Sequence, residues 1–453
     1  MTDLVVVGGG PAGLAAATAA SDAGASTLLV DENDRLGGQY LRQPRGEAAA
    51  SIADSSARGG AEAIAALDVS GAETSSSATA YGAGPGGIEI EQAGAHRTLA
   101  SPLLVAAGAT ERVVPLPGWT LPGVVTCGAA QALVKMHGEP VGRRVLVAGS
   151  GPFLLPVGAA LIRAGAEVAG VLEAQRLGRR AVAAACSSVD VIREAAGHLW
   201  ALSAARVRLR TGWGVSSIRE SAGGLRVEIT RLDREGRPVG GTKESIECDA
   251  VCLSDGFVPS VELAELAGAS VRFQALSRTW SVAADAETGS TAADGVWAAG
   301  ACTEPWSGAR LSAVAGRSAG RAAARELIGG PPAPFSDARG SELRLSRRLS
   351  LAFPTRPAWY ERTTDDVIVC RCENVTAGAI REAARSAPDV NAVKRATRAG
   401  MGLCQGRTCQ AAVAELTCAA GAVPIESVGR FTSRSPLRPT GLEVLAAGSA
   451  SSR

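Results

Sequence analysis

The chain alternates between short apolar runs and glycine-centred turns, a pattern that predicts parallel strands joined by helices. Residues 4–7 form an uninterrupted apolar run that stops at Gly8-Gly9-Gly10-Pro11-Ala12-Gly13, and the Ala-rich stretch 14–23 predicts a helix. A second apolar run, 26–30, ends at Asp31, so strand, glycine turn, helix and strand make one βαβ unit. The same order returns later: 144–148 predicts a strand, Gly149-Ser150-Gly151-Pro152 a turn, 153–164 a helix, and 167–172 a strand closing on Glu173. Between the two units, residues 87–91 read as a strand, and 103–110 as a buried strand and turn. Further on, 207–209, 225–231, 249–253 and 295–299 read as strands and 311–327 as a helix. This is a duplication of fold, not a short-period repeat.

The clearest break in the pattern is Gly329-Gly330-Pro331-Pro332-Ala333-Pro334, which predicts a linker. Residues 376–387 predict a helix, with Thr376 as its N-cap and Pro388 just past its end. The tail from Ser433 is rich in Pro, Ser and Gly, and its last residues are expected to form an extended or disordered arm. The expected division is a split domain of residues 1–120 and 285–330, a second domain at 121–284, a linker at 331–365, a cysteine-bearing domain at 366–430, and a tail at 431–453.

Composition narrows the classes of function. At 453 residues the chain is long enough for two or three cores. A net charge of +2, an aromatic content of 4% and the lack of any Lys/Arg-rich block exclude a nucleic-acid footprint. Apolar runs are too short for a bilayer span, and the N-terminus opens on a strand without a basic leader. A cytoplasmic location follows as an expectation, with membrane association only through partners. There, ten cysteines are expected to be thiols and metal ligands rather than disulfides.

The turn Gly8-x-Gly10-x-x-Gly13 carries the first candidate chemistry. Its first glycine permits a tight turn, the second lets backbone approach a pyrophosphate, and the third packs helix on strand, so that the helix N-terminus at Pro11 and Ala12 faces the anion. Asp31 or Glu32 would accept the ribose hydroxyls, with Asp31 preferred because it directly follows the apolar strand. Gly37-Gly38-Gln39, the strand end Ala106-Ala107-Gly108-Ala109 and the late Gly295-Val296-Trp297-Ala298-Ala299-Gly300 point to FAD as the dinucleotide. In this order the motifs resemble the flavoproteins with two dinucleotide-binding domains, which include the pyridine nucleotide-disulfide reductases. The resemblance covers residues 1–327 and implies Asp after the last glycine, to hold the ribityl chain. Here Ala301-Cys302 stands instead, and for Cys302 both cofactor contact and simple packing remain open.

In the second turn Leu154 replaces the third glycine, which weighs against NAD(P) binding, and Glu173 would disfavour a 2′-phosphate. No redox cysteine pair lies beside Gly37-Gly38. Cys248 and Cys252 are expected on one strand as core thiols, and Cys127, Cys186 and Cys418 likewise in the core. His96, His137, His198, Tyr40, Tyr81 and Tyr360 form no catalytic constellation, so no catalytic residue is assigned.

Four C-terminal cysteines carry the second candidate chemistry: Cys370-Arg-Cys372, then Cys404-Gln-Gly-Arg-Thr-Cys409. Four thiolates suit a two-iron cluster, and the tight CxC departs from the knuckles of structural zinc. Gly400, Gly402 and Gly406 would let backbone N–H groups reach the sulfurs. This module resembles the bacterioferritin-associated-ferredoxin-like [2Fe-2S] domain. With Trp119-Thr-Leu-Pro-Gly123 and Gly149-Ser-Gly-Pro152 also in place, the whole chain resembles the alpha (A) subunits of heteromeric opine, proline and D-hydroxyproline dehydrogenases, a group that includes the B-type component of hydrogen cyanide synthase. The implied fold is α/β: two Rossmann-like domains plus a small C-terminal α+β [2Fe-2S] domain.

The resemblance further implies FAD and a [2Fe-2S] cluster in this chain, and a D-amino-acid-oxidase-like flavoprotein beta subunit that oxidises an amine or imino acid. An FMN between subunits is a further candidate, as is a small third subunit. Two rival readings stand beside it: a self-contained NAD(P)H:acceptor reductase and a non-catalytic docking scaffold.

Overall fold

The computed structural model describes residues 2–84, 86–186, 189–329 and 337–451. The strands Leu4–Val7 and Thr27–Val30 pair in parallel at the middle of a five-stranded sheet, which Glu73–Ser75, Leu103–Val105 and Val296–Ala298 complete. The three central strands, Leu4–Val7, Thr27–Val30 and Leu103–Val105, are buried along their whole length, as the unbroken apolar runs require of a sheet covered on both faces. The second unit repeats the plan. Arg144–Gly149 lies between Glu167–Glu173 and Ala250–Ser254 in another five-stranded parallel sheet, flanked by Leu209–Thr211 and Val124–Thr126. Each unit also carries a three-stranded antiparallel meander, 78–99 in the first and 213–248 in the second.

Helix Pro11–Asp22 is clamped between its sheet and the long helix Gly308–Ile328. Two glycines make the helix–helix approach possible: a Cβ on Gly316 would fall 2.0 Å from the Ala12 carbonyl oxygen, and one on Gly320 would fall 2.1 Å from that of Ala16. The late helix is therefore a wall that fixes where the first glycine turn sits.

Three expectations need correction. The stretch read as a linker holds helix Asp337–Ala352, which packs on Gly308–Ile328 and on Arg179–Ala185, and a 3₁₀ segment Pro357–Arg362. Polar and apolar positions do alternate there, but the neighbouring prolines masked the signal; Gly330 to Pro334 themselves lie outside the described residues. The tail ends in helix Leu442–Ser451, packed against the strand Ala95–Leu99, rather than in an extended arm. Cys248 and Cys252 are both buried but on different strands, Glu244–Cys248 and Ala250–Ser254, while Cys186 is exposed and Cys418 only half-buried.

The cysteine module consists of a short strand pair, Ile368–Cys370 and Val375–Thr376, and helices Ala377–Ser386, Val390–Thr397, Gln410–Gly421 and Ile425–Val428. Thr376 caps the first helix by accepting from the Ala379 N–H at 3.4 Å. The module shares a core with the body: Val369, Ile380, Val393, Val413 and Leu416 pack with Val114, Leu232, Trp359 and Tyr360. Polar contacts close the same junction, with Trp119 Nε1 donating to the Ile368 carbonyl at 2.6 Å and Arg278 forking onto the buried Glu415 at 2.7 and 2.8 Å.

Candidate functional site

The first glycine turn is built for close approach. Gly8 has φ +109° and lies against the Ala106 carbonyl, and a Cβ on Gly13 would sit 1.7 Å from the Gly8 carbonyl oxygen, so neither position accepts a side chain. Gly10 by contrast faces open space, with Gly38 its nearest neighbour across the turn. Ala12 and Gly300 meet on the far side, where a Cβ on Gly300 would fall 2.7 Å from that of Ala12. Gly8, Gly10, Pro11, Ala12, Gly13, Gly38 and Gly300 are therefore brought together at the carboxyl ends of the sheet, where a doubly wound fold places its ligand crevice. Past the strand end Leu103–Val105, Ala107 is exposed and Gly108 opens onto free space. Gln39 is exposed and accepts from Arg42 at 2.6 Å.

The two acidic candidates divide differently from the sequence expectation. Asp31 is buried, and its carboxylate is occupied by the Gly9 N–H and by the backbone and side-chain N–H groups of Asn33 at 2.7 and 2.8 Å. It braces the turn from within. Glu32 is the exposed acid, with Oε2 paired to Arg438 at 2.9 Å. Strand continuity favoured Asp31 on sequence, but the direction of its side chain, back onto Gly9, reverses the preference.

Ala301 and Cys302 also separate. Ala301 is partly exposed in the 3₁₀ turn Gly300–Cys302, whereas the Cys302 thiol points inward and contacts the carbonyls of Ala299 and Val105 at 3.3 and 3.5 Å. Cys302 is fully buried among the apolar side chains beneath the sheet, and burial pushes its thiol up to about 12. Of the two readings left open, packing is the one its geometry supports. Cys302→Ala is expected to retain its cofactor content and to cost about 1 kcal/mol of stability. Because the thiolate is the reactive form, brief alkylation at neutral pH followed by peptide mass spectrometry should mark the exposed Cys186 and spare Cys302.

The second glycine turn has the same backbone plan and a different outcome. Glu173, in register with Gly149, is buried and accepts from the Gly151 N–H at 2.8 Å and the Gln175 N–H at 2.7 Å. In the first turn the acid takes the N–H of the middle residue, Gly9, and here it takes that of the second motif glycine, the amide a pyrophosphate needs. Burial raises the Glu173 carboxyl to about 7. The Trp306 indole covers the same glycine, 3.0 Å from where a Cβ of Gly151 would be, meets Phe257 edge-on and lies at a tilt against Phe353. The helix begins only at Leu154, two residues later relative to the second glycine than in the first unit. Sequence reading found the Leu154 substitution but missed Trp306, which arrives from the other half of the chain with no local signal.

At the C-terminal module the four candidate cysteines meet as two pairs. Cys370 and Cys409 face each other in the interior; the Cys409 thiol and the backbone N–H groups of Gly400, Glu373 and Cys372 together hold Cys370 down to about 5, and Cys409 rises in return. The second pair, Cys372 with Cys404, lies at the surface. A backbone bond from Cys404 pulls Cys372 down, but burial and the adjoining Cys404 sulfur outweigh it. Among the described residues no three His, Cys, Asp or Glu side chains are gathered tightly enough to hold one ion. Two pairs suit two irons, each taking two thiolates, better than one tetrahedral zinc. Cys409 stands at the N-terminus of helix Gln410–Gly421.

The loop glycines do more than expected. Gly402 lies against Cys372, with a notional Cβ 2.2 Å from that of the cysteine, while Gly400 and Gly406 admit the ring of Phe431, at 2.4 and 2.5 Å from their own notional Cβ positions. Phe431, and the bond from Arg407 in the loop to the Leu437 carbonyl, are contacts of this loop that sequence reading did not single out.

Comparison with known proteins fits these two sites. The family model for pyridine nucleotide-disulphide oxidoreductase matches residues 2–320. The chain belongs to the pyridine nucleotide-disulphide oxidoreductase family. To the common body of that family this member adds a BFD-like [2Fe-2S] binding domain, matched over residues 368–417. The A-type subunit of opine oxidase from Agrobacterium tumefaciens (strain Ach5) is 32% identical over 98% of this chain and 91% of its own length. The HcnB subunit of hydrogen cyanide synthase from Pseudomonas aeruginosa is 31% identical over 89% of this chain and 90% of its own. In fold, the chain superposes on the crystal structure of L-proline dehydrogenase from P. horikoshii with a TM-score of 0.67 at 19% identity, over 98% of this chain and 79% of that one. This oxidoreductase therefore combines a flavoprotein fold with an iron–sulfur domain, and its relatives are subunits of larger enzymes. Among its described residues no helix is long and apolar enough to cross a membrane.

Proposed function

We propose that this chain is the FAD- and [2Fe-2S]-containing electron-transfer subunit of a heteromeric amine or imino-acid dehydrogenase of the opine, D-hydroxyproline, proline or glycine type, whose substrate is oxidised in a partner flavoprotein beta subunit. The single observation that carries this reading is the filled second turn: with Gly151 held by Glu173 and roofed by Trp306, that turn is closed to a nicotinamide nucleotide, which favours electrons that come from another protein. The names of the relatives as subunits support the same division.

Within this reading Gly8, Gly10, Gly13 and the helix N-terminus at Pro11 and Ala12 cradle the FAD pyrophosphate, and Glu32 accepts the ribose hydroxyls. Gly38, Gln39, Ala107, Gly108, Gly300 and Ala301 line the path to the flavin. Cys370, Cys372, Cys404 and Cys409 hold the cluster. A flavin exchanges electrons in pairs or singly and a two-iron cluster carries one at a time, which is the chemistry a relay needs. Ala301 offers no hydrogen-bonding side chain to the ribityl hydroxyls. Cys372, exposed at the surface, would hold a bound cluster within reach of another protein.

Anaerobic mixing tests the source of electrons. NADH and NADPH are each expected to leave the flavin oxidised over minutes, while addition of the amine substrate together with its partner flavoprotein bleaches it. Rapid bleaching by either nicotinamide nucleotide alone overturns the reading in favour of a self-contained reductase.

A further inference from the structure

The stretch from Arg430 to Arg438 carries little regular structure, yet it is bonded at both ends and in the middle. At the module, Phe431 N–H donates to Gln410 Oε1 at 3.1 Å, Thr432 N–H to Asn391 Oδ1 at 3.0 Å, and Asn391 Nδ2 to the Arg430 carbonyl at 3.1 Å. The Phe431 ring fills the space that Gly400 and Gly406 leave in the cluster loop. Arg407, from between Cys404 and Cys409, donates to the Cys404 carbonyl at 3.2 Å and to the Leu437 carbonyl at 2.6 Å. Toward the body, Arg430 pairs with Glu265, the Leu437 N–H donates to the Tyr81 carbonyl at 2.7 Å, and Arg438 reaches Glu32 at 2.9 Å. A continuous path thus runs from the Cys404 carbonyl through Arg407, Leu437 and Arg438 to Glu32, the acid at the end of the first nucleotide crevice.

We propose that this segment is a strap that makes flavin binding and cluster occupancy interdependent, with Arg438 as the residue that positions Glu32 for the ribose and Arg407 as its anchor in the cluster loop. The proposal rests on the flavin and cluster reading above. Glu32 is exposed, and a free glutamate on a turn samples several rotamers; the bond from Arg438 to Oε2 selects one and leaves the carboxylate with capacity for further donors. The strap holds Arg438 in place only while the loop between Cys404 and Cys409 keeps the shape that seats Arg407 and Phe431. A cluster bound by those cysteines fixes that shape. By linkage, each cofactor then favours the other.

The test is the FAD dissociation constant of the full chain, measured anaerobically by flavin fluorescence for cluster-loaded protein and for protein stripped of iron by a chelator. In wild type, stripping the cluster is expected to weaken FAD binding about five-fold or more. In R438Q that ratio falls toward one, and cluster-loaded R438Q binds FAD about as weakly as stripped wild type. R407Q, which cuts the other end of the strap, gives the same collapse with Glu32 and Arg438 both intact. Circular dichroism and thermal unfolding of both variants keep a folding defect apart from uncoupling. A ratio near one in wild type, or an unchanged ratio in both variants, overturns the strap alone. Cluster-loaded wild type that takes up no FAD removes the flavin reading, and the strap with it.

Discussion

Cys404→Ser is expected to yield a folded, flavin-containing chain with almost no iron and no acid-labile sulfide. Cys404 is the informative choice because it is only half-buried, so exchanging its sulfur for oxygen tests ligation without opening a hole in the core. The module does not depend on its cofactor for a core. Val369, Ile380, Val390, Val393, Val413, Leu416 and Val428 are essentially inaccessible, and burial of such side chains contributes about 1.5–3 kcal/mol each. Far-ultraviolet circular dichroism should therefore change little. Wild type purified without oxygen is expected to carry two irons and two sulfides per chain, in keeping with the domain it matches. Zinc without sulfide would instead identify a structural site. Cys418→Ser is the control: Cys418 lies on helix Gln410–Gly421, beyond the cysteine loop, and faces Arg278, so its loss should leave the iron in place. Retention of full iron by Cys404→Ser would remove that cysteine from the ligand set.

Sequence spacing singled out four cysteines because CxC and CxxxxC are themselves short, recognisable patterns, and the fold brings the two patterns together, Cys370 with Cys409 and Cys372 with Cys404. The duplicated strand–turn–helix pattern was readable for the same reason, since buried parallel strands need unbroken apolar runs and tight turns need glycine. What the pattern could not supply was side-chain direction. Asp31 and Glu32 are neighbours with the same chemistry, and only the fold shows that one turns in to Gly9 while the other turns out to Arg438. Adjacent Ala301 and Cys302 divide in the same way, one partly exposed and one buried in the core. Long-range intrusions were invisible for a different reason. Trp306 on Gly151 and Phe431 on Gly400 each join residues far apart in the chain, and no periodicity encodes such a meeting. The helices at Asp337–Ala352 and Leu442–Ser451 were missed because proline, serine and glycine around them outweighed their own weak pattern.

Gly13→Leu makes the first turn resemble the second, and it is expected to cost the chain its FAD. A side chain at Gly13 must begin 1.7 Å from the Gly8 carbonyl oxygen, so helix Pro11–Asp22 has to move off the strand Leu4–Val7. It has nowhere to go, because Gly316 and Gly320 already bring helix Gly308–Ile328 into backbone contact on the other side. In the second unit the same leucine is accommodated: the helix starts at Leu154, after the turn, and the displaced phosphate-binding amide is taken by Glu173. No such acid can rescue Gly10, since Asp31 is committed to Gly9. Overpacking of this kind costs about 1–3 kcal/mol or somewhat more, enough to destabilise the first unit and to remove the geometry that a pyrophosphate requires. Flavin per chain, read from visible absorbance of the protein purified alongside wild type, should fall below a tenth of the wild-type value. Iron content is expected to persist as purified, because the core of the cysteine module, shared with Val114, Leu232, Trp359 and Tyr360, is separate from the core around helix Pro11–Asp22. The reciprocal change separates the two turns most sharply. Leu154→Gly restores the third glycine, yet NADH should still fail to bind, because Trp306 and the Glu173–Gly151 bond remain in the way. Tight NADH binding to that variant, seen as a change in nicotinamide fluorescence, would show that Leu154 alone had closed the second site.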